Sequence, residues 1–93
     1  MIYDTDRTAE QFPFPYVNKN GASRESLLAD RRAAYRAVHA AMKAFQECAP
    51  NGRDYQTAPR GAYELARARY NAHFSSLDKL ANEIRDEAEF LQR

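Results

Sequence analysis

Glycine and proline are confined to a few places, and that confinement limits the fold more than any other feature of the 93 residues. The chain has only 3 Gly and 4 Pro. All seven lie outside the interiors of two long stretches, 23–49 and 59–92, except Gly61 near the start of the second. Both residues break regular helices, so such punctuation predicts two uninterrupted helices joined by a turn at Pro50-Asn51-Gly52. The fold class expected is all-α: a long antiparallel helical hairpin, about 23–49 and 59–92, with an extended N-terminal arm over 1–22. The turn is expected to centre near residue 54.

The apolar periodicity agrees. In the first stretch Leu28, Arg31, Tyr35, Val38, Met42, Phe45 and Ala49 alternate by three and four. Leu27, Ala34, Ala41 and Cys48, seven apart, widen that stripe on one side, as a globular core requires. Ala33, Ala37, Ala40 and Ala44 form a second stripe of small residues. Alanine is also the best helix former on a solvated face, which explains them without a partner. Ser23 is placed to cap this helix and Pro50 to end it. In the second stretch Tyr63, Ala66, Tyr70, His73, Phe74, Leu77, Leu80, Ala81, Ile84, Ala88 and Leu91 share a face. Pro59 suits its first turn, with Thr57 or Ala58 near the cap.

Charge supports the antiparallel pairing. The sequence carries 14 Lys+Arg and 13 Asp+Glu, a net of +1. It divides into +4 over residues 23–72 and −2 over 73–93. Folding back near residue 54 sets Arg24, Arg31 and Arg32 beside Asp78, Glu83, Asp86 and Glu87. Exposed pairs contribute only about 0.2–1 kcal/mol each, so they select register more than they stabilise.

Two helices make a core one layer deep, so something must cover their apolar faces. The segment Phe12-Pro13-Phe14-Pro15-Tyr16-Val17 is one candidate: alternate prolines hold an extended backbone that projects aromatic rings. A second copy of the chain is the other, and a dimer or higher oligomer is expected. Phe12, Phe14, Tyr16, Tyr35, Phe45, Tyr63, Tyr70 and Phe74 are the expected packing or interface aromatics.

Several function classes fall away. The near-neutral balance is wrong for a strongly basic nucleic-acid binder, and long helices are wrong for a helix-turn-helix, so no nucleic-acid partner is expected. No apolar run approaches 18 residues, so no membrane partner is expected. The first residues lack the charge and apolar run of a secretory signal, and a lone Cys48 suits a reducing cytoplasm. No nucleophile is spaced with a base, and no glycine loop cradles phosphate, so an enzyme is not expected. His39 and His73, expected at similar heights, lack the further ligands of a zinc site, and no cofactor is expected.

The turn itself is chemically rich. It presents Arg53, Asp54, Tyr55 and Gln56, and Arg60 and Arg67 follow seven apart, as if on one helical face. Guanidinium groups beside a tyrosine can grip an acidic protein patch, or hold a phosphate and stack on a base. A purely structural reading is equally open: Asn51-Gly52 makes the turn, Arg53 pairs with Asp54, and Tyr55 packs on the helix ends.

A helix ending in Ala49-Pro50-Asn51-Gly52-Arg53-Asp54-Tyr55, then a long helix with Ala-Arg repeats, resembles small uncharacterised proteins encoded by bacteriophages and prophages. The likeness spans roughly residues 35–85, and its specific part is those seven residues. More distantly, the helix, Pro-Asn-Gly turn and helix are similar to the hairpin of phage cyclic-nucleotide sponges, which are oligomeric. The Phe-Pro-Phe-Pro segment departs from that pattern. The resemblance implies a phage-type anti-defence or accessory protein in the bacterial host cytoplasm, which binds and blocks a host protein such as a CRISPR-Cas immune complex. The alternatives are an oligomeric sponge for a cyclic or signalling nucleotide, and a structural or scaffold phage component.

Overall fold

A computed structural model describes residues 14, 15, 21 and 23–93. Phe12, Tyr16 and most of the expected arm lie outside the described residues. The described chain is two α-helices, α1 (Arg24–Gln46) and α2 (Ala62–Leu91), joined through a 3-10 helix at Gly52–Tyr55, with no strand. The helices pack on each other as a hairpin. No helix is long and apolar enough to cross a membrane among these residues.

Ser23 starts α1 as its position predicts. Its backbone is extended, at ψ 159°, and its hydroxyl accepts from the Ser26 N–H at 3.0 Å. The other three boundaries differ from expectation. α1 ends at Gln46 rather than 49, because Pro50 has no N–H to donate to the Gln46 carbonyl. The last turn tightens instead, with Cys48 N–H on Phe45 at 2.9 Å and Ala49 N–H on Gln46 at 3.2 Å. α2 begins at Ala62 rather than 59. Gly61 stands at its N-cap in the left-handed region, φ 85°, where only glycine sits without strain. Pro59 therefore precedes the helix, and neither Thr57 nor Ala58 caps it. At the far end α2 stops at Leu91, one residue short of 92.

The seam is aromatic near the turn. Phe45 stacks on Tyr70 with centroids 4.9 Å apart, Tyr70 continues to Phe74 at 6.0 Å, and the His73 ring meets Phe45 edge-on at 6.4 Å. At the open end Arg31 Nε donates to Glu87 Oε1 at 3.4 Å, and Arg24 donates to the Arg93 carbonyl at 3.0 Å. Of the charge pairs expected, Arg31–Glu87 forms. Arg24 instead reaches the Arg93 carbonyl, just beyond the end of α2, whose last turn holds no basic residue.

These contacts correct the register. The midpoint of Phe45 and Tyr70 falls between residues 57 and 58, and that of Arg31 and Glu87 at 59. The hairpin folds about a point some four residues beyond the expected 54, because the connection is a longer structured link. His39 and His73 consequently part company: His73 lies level with Phe45, while His39 packs on Tyr35 at 4.4 Å.

Burial is thin. Among the described residues only Met42, Ala81 and Leu91 are buried, and the rest of both seams is half-buried. Ala81, 1% exposed, is level with Tyr35, so a small residue faces a large one where the helices approach. Of the residues expected to widen the α1 stripe, Leu27 is half-covered but Ala34, Ala41 and Cys48 are exposed. The end residue Ala49 is exposed, and so are His73 and Leu80 on the expected face of α2. A seam between two cylinders covers one line; those residues lie off it, except His73, which meets Phe45 at the margin of the seam and stays exposed.

Two outcomes follow for stability. Met42→Ala lowers the free energy of unfolding by about 2–5 kcal/mol in urea titrations. Gly61→Ala lowers it by about 1–2 kcal/mol, the cost of a Cβ in the left-handed region, although nothing lies within 4 Å of that Cβ.

Candidate functional site

The connection between the helices is held by its own backbone and one side chain. Asn51 is extended, φ −116° and ψ 131°, and its Oδ1 accepts from the Arg53 N–H at 3.0 Å. The Asp54 N–H returns to the Asn51 carbonyl at 2.9 Å, which closes the 3-10 turn. Ala58 N–H on Tyr55 at 3.1 Å and Ala62 N–H on Pro59 at 3.0 Å carry the chain into α2. Asparagine is suited to this because its short amide reaches the N–H two residues on.

Tyr55 is the one candidate site residue drawn inward. It is half-buried, with its ring 5.8 Å from that of Tyr63 on the first turn of α2. Arg53, Asp54, Gln56, Arg60 and Arg67 are all exposed. The Arg53 Nε donates back to Asn51 Oδ1 at 3.4 Å. Among the described residues Arg53 and Asp54 form no ion pair, and neither Arg60 nor Arg67 has a carboxylate partner. Two parts of the structural reading of the turn are therefore present, the Asn51 cap and the Tyr55 packing, and the third is absent.

Arg60 and Arg67 do not share a helical face. Arg60 precedes Gly61, outside α2, so the spacing of seven carries no helical phase. Arg67 stands about 9 Å along α2 from Gly61, at about 1.5 Å per residue. The structure brings Arg53, Asp54 and Tyr55 into one short 3-10 unit capped by Gln56, with Arg60 following in the link, and sets Arg67 apart.

The aromatic candidates divide similarly. Tyr35, Phe45, Tyr63, Tyr70 and Phe74 line or border the seam and are half-buried. Phe14 is half-buried elsewhere, tilted on Phe90 at 5.1 Å, in a groove shared with Asp86, Glu89 and Arg93. Residues 86, 90 and 93 form a stripe distinct from Ile84, Ala88 and Leu91, which face α1. Phe14 thus packs on the outside of the last turns of α2, not over the seam.

A second arginine cluster was not singled out from the sequence. Arg31, Arg32, Arg36 and Arg85 line an open groove of about 300 Å³ with Tyr35 and Ala88, at the end remote from the turn. Arg31 is held by Glu87, and Arg85 lies 3.7 Å from Asp86 and 4.0 Å from Glu89. The i, i+4 spacing of Arg32 and Arg36 was visible, but the arrival of Arg85 beside them depends on the register. Among the described residues no group of three His, Cys, Asp or Glu side chains could hold a metal ion.

No family model, curated protein or solved structure matches the chain.

The Asn51 cap makes a local prediction. Asn51→Ala removes the acceptor for the Arg53 amide, so that amide loses its protection in hydrogen exchange while the amides of the α1 interior keep theirs.

Proposed function

We propose that this chain is a binding protein rather than a catalyst: a phage-type anti-defence or accessory protein that self-associates and blocks a host protein with the turn end of its hairpin. The supporting observation is the state of the turn arginines. At the open end Arg31, Arg85 and Arg24 are matched by Glu87, Glu89 and the Arg93 carbonyl, while Arg32 and Arg36 are exposed without a carboxylate partner among the described residues. At the turn, Arg53 and Arg60 are exposed with no carboxylate partner among the described residues, on a unit stiffened by Asn51 and by the Tyr55–Tyr63 contact. Exposed cations on a rigid projection suit an acidic protein surface, because little side-chain and loop ordering remains to oppose binding. The phage assignment rests on the likeness of the Ala49–Tyr55 turn to phage and prophage proteins. It implies action in the bacterial host cytoplasm, with an immune complex of the CRISPR-Cas type as the class of target.

The thin seam supports self-association. With three of the described residues buried, the hairpin leaves most of its apolar surface half-covered. A dimer or higher oligomer would remove more of it from water at about 25 cal/mol per Å².

A nucleotide sponge is the competing reading, supported by the tyrosine pair beside Arg53. Two measurements separate them. Affinity capture from bacterial lysate with the wild-type chain yields a defined host protein, and Arg53→Ala with Arg60→Ala reduces its recovery roughly tenfold, the equivalent of ~1.4 kcal/mol. Equal recovery from both chains removes the turn as the contact. In thermal melts against a panel of cyclic nucleotides the midpoint stays constant. A rise of several degrees instead establishes the sponge, since a ligand bound only by the folded state stabilises by RT ln(1 + [L]/Kd).

A further inference from the structure

Arginines from both helices meet in one short groove at the open end of the hairpin. Arg32 and Arg36 stand four residues apart on α1, so they differ in height by about 6 Å. The Arg31–Glu87 pair sets Arg85 of α2 level with Ala33, between them. All three line the groove of about 300 Å³, and the half-buried Tyr35 and Ala88 are its apolar part. Their charges are poorly matched. Arg85 reaches carboxylates only at 3.7 Å on Asp86 and 4.0 Å on Glu89, all of them exposed. Arg32 and Arg36 have neither a hydrogen bond nor an ion pair among the described residues. Glu89 is the one carboxylate lining the groove, level with Ala29 and so about a turn beyond Arg32. Glu25 and Asp78 share that side of their helices but stand about two turns from Arg32 and Arg85.

We propose that this groove binds the phosphate of a small phosphomonoester between Arg32, Arg36 and Arg85, with the organic body of the ligand against Tyr35 and Ala88. Like charges four residues apart on a helix repel, and the register adds a third cation to them, so an anion that enters relieves a repulsion built into the free chain. Guanidinium forks match phosphate oxygens in pairs. A phosphomonoester brings close to two negative charges and three acceptor oxygens, enough to engage cations arriving from two helices. A carboxylate brings one charge and two oxygens. The chain already places such a group there in Glu89, and it engages Arg85 alone.

The dimensions favour a small molecule. The groove's volume is at the lower end of the range for ligand sites. Toward the turn it is bounded by the Tyr35 ring, which packs on His39 at 4.4 Å. Arg31 is held in place by Glu87 and forms a wall rather than a free donor. The site lies at the end remote from Arg53 and Arg60, so it is independent of the contact proposed for the turn.

Amide NMR spectra of the full chain, titrated with phenyl phosphate at constant ionic strength, test it. Saturable shifts are expected at residues 31–36 and 85–92, with inorganic phosphate and benzoate each binding about tenfold more weakly. Arg32→Gln with Arg36→Gln weakens phenyl phosphate by about tenfold or more. Arg69→Gln with Lys79→Gln, which removes as much charge from exposed positions elsewhere on α2, leaves binding unchanged. The same spectra report that each variant is folded. Shifts that do not saturate, or that the Arg32 and Arg36 changes weaken no more than the control changes do, overturn the site. Saturable shifts centred on residues 53–63 overturn its placement and move the anion to the turn. Benzoate binding as tightly as phenyl phosphate overturns the choice of phosphate. Inorganic phosphate binding as tightly overturns the contact with Tyr35.

Discussion

Two cylinders touch along a line, and everything in this molecule is arranged around that line. A residue within it is covered by the opposing helix, and one a quarter-turn away is not. Met42, Ala81 and Leu91 are enclosed, whereas Ala34, Ala41 and Leu80, from the same apolar stripes, stay in water. Stability therefore leans on few contacts: the Phe45–Tyr70 stack, the small Ala81 level with Tyr35, and the half-buried Arg31–Glu87 pair. The pair, with side chains 26% and 28% exposed, contributes more to choosing register than to free energy.

Register is decided in the connection. Pro50 withholds an N–H from α1, Asn51 wraps the backbone into one 3-10 turn, and Gly61 turns it left-handed into α2. Each step uses a residue type selected by its backbone chemistry. Together they fix how far α2 slides along α1, and so which arginine meets which carboxylate. The same steps place Arg53, Asp54 and Gln56, all exposed, in one short hydrogen-bonded turn. The proposed contact surface and the stability of the hairpin thus depend on the same few residues.

Much of the fold was legible in the chain order. The absence of Gly and Pro over two long stretches announced two helices, the three-and-four alternation named the seam from Leu28 to Phe45, and Ser23 announced its own cap. The misses have local causes. The end of α1 falls short of residue 49 because a proline acts four residues upstream, through the bond it cannot make, and α2 starts later than 59 because Gly61 is its left-handed N-cap. The pairing of Arg60 with Arg67 failed because periodicity was carried across Gly61, where the helix had not begun. The arginine groove around Arg85 was invisible because it joins residues from two helices, distant in the chain and brought together only by the register.

Sequence alone indicated two helices packed as a hairpin, because periodicity and helix-breaking act within a few residues, but not their ends near the turn or the 3-10 helix between them. Tertiary structure decided the sliding position of the helices, the separation of His39 from His73, the packing of Phe14 on Phe90, and the arrival of Arg85 beside Arg32 and Arg36. Those depend on which side chains meet across the seam, and that is set by the shape of the whole connection rather than by any single residue in it.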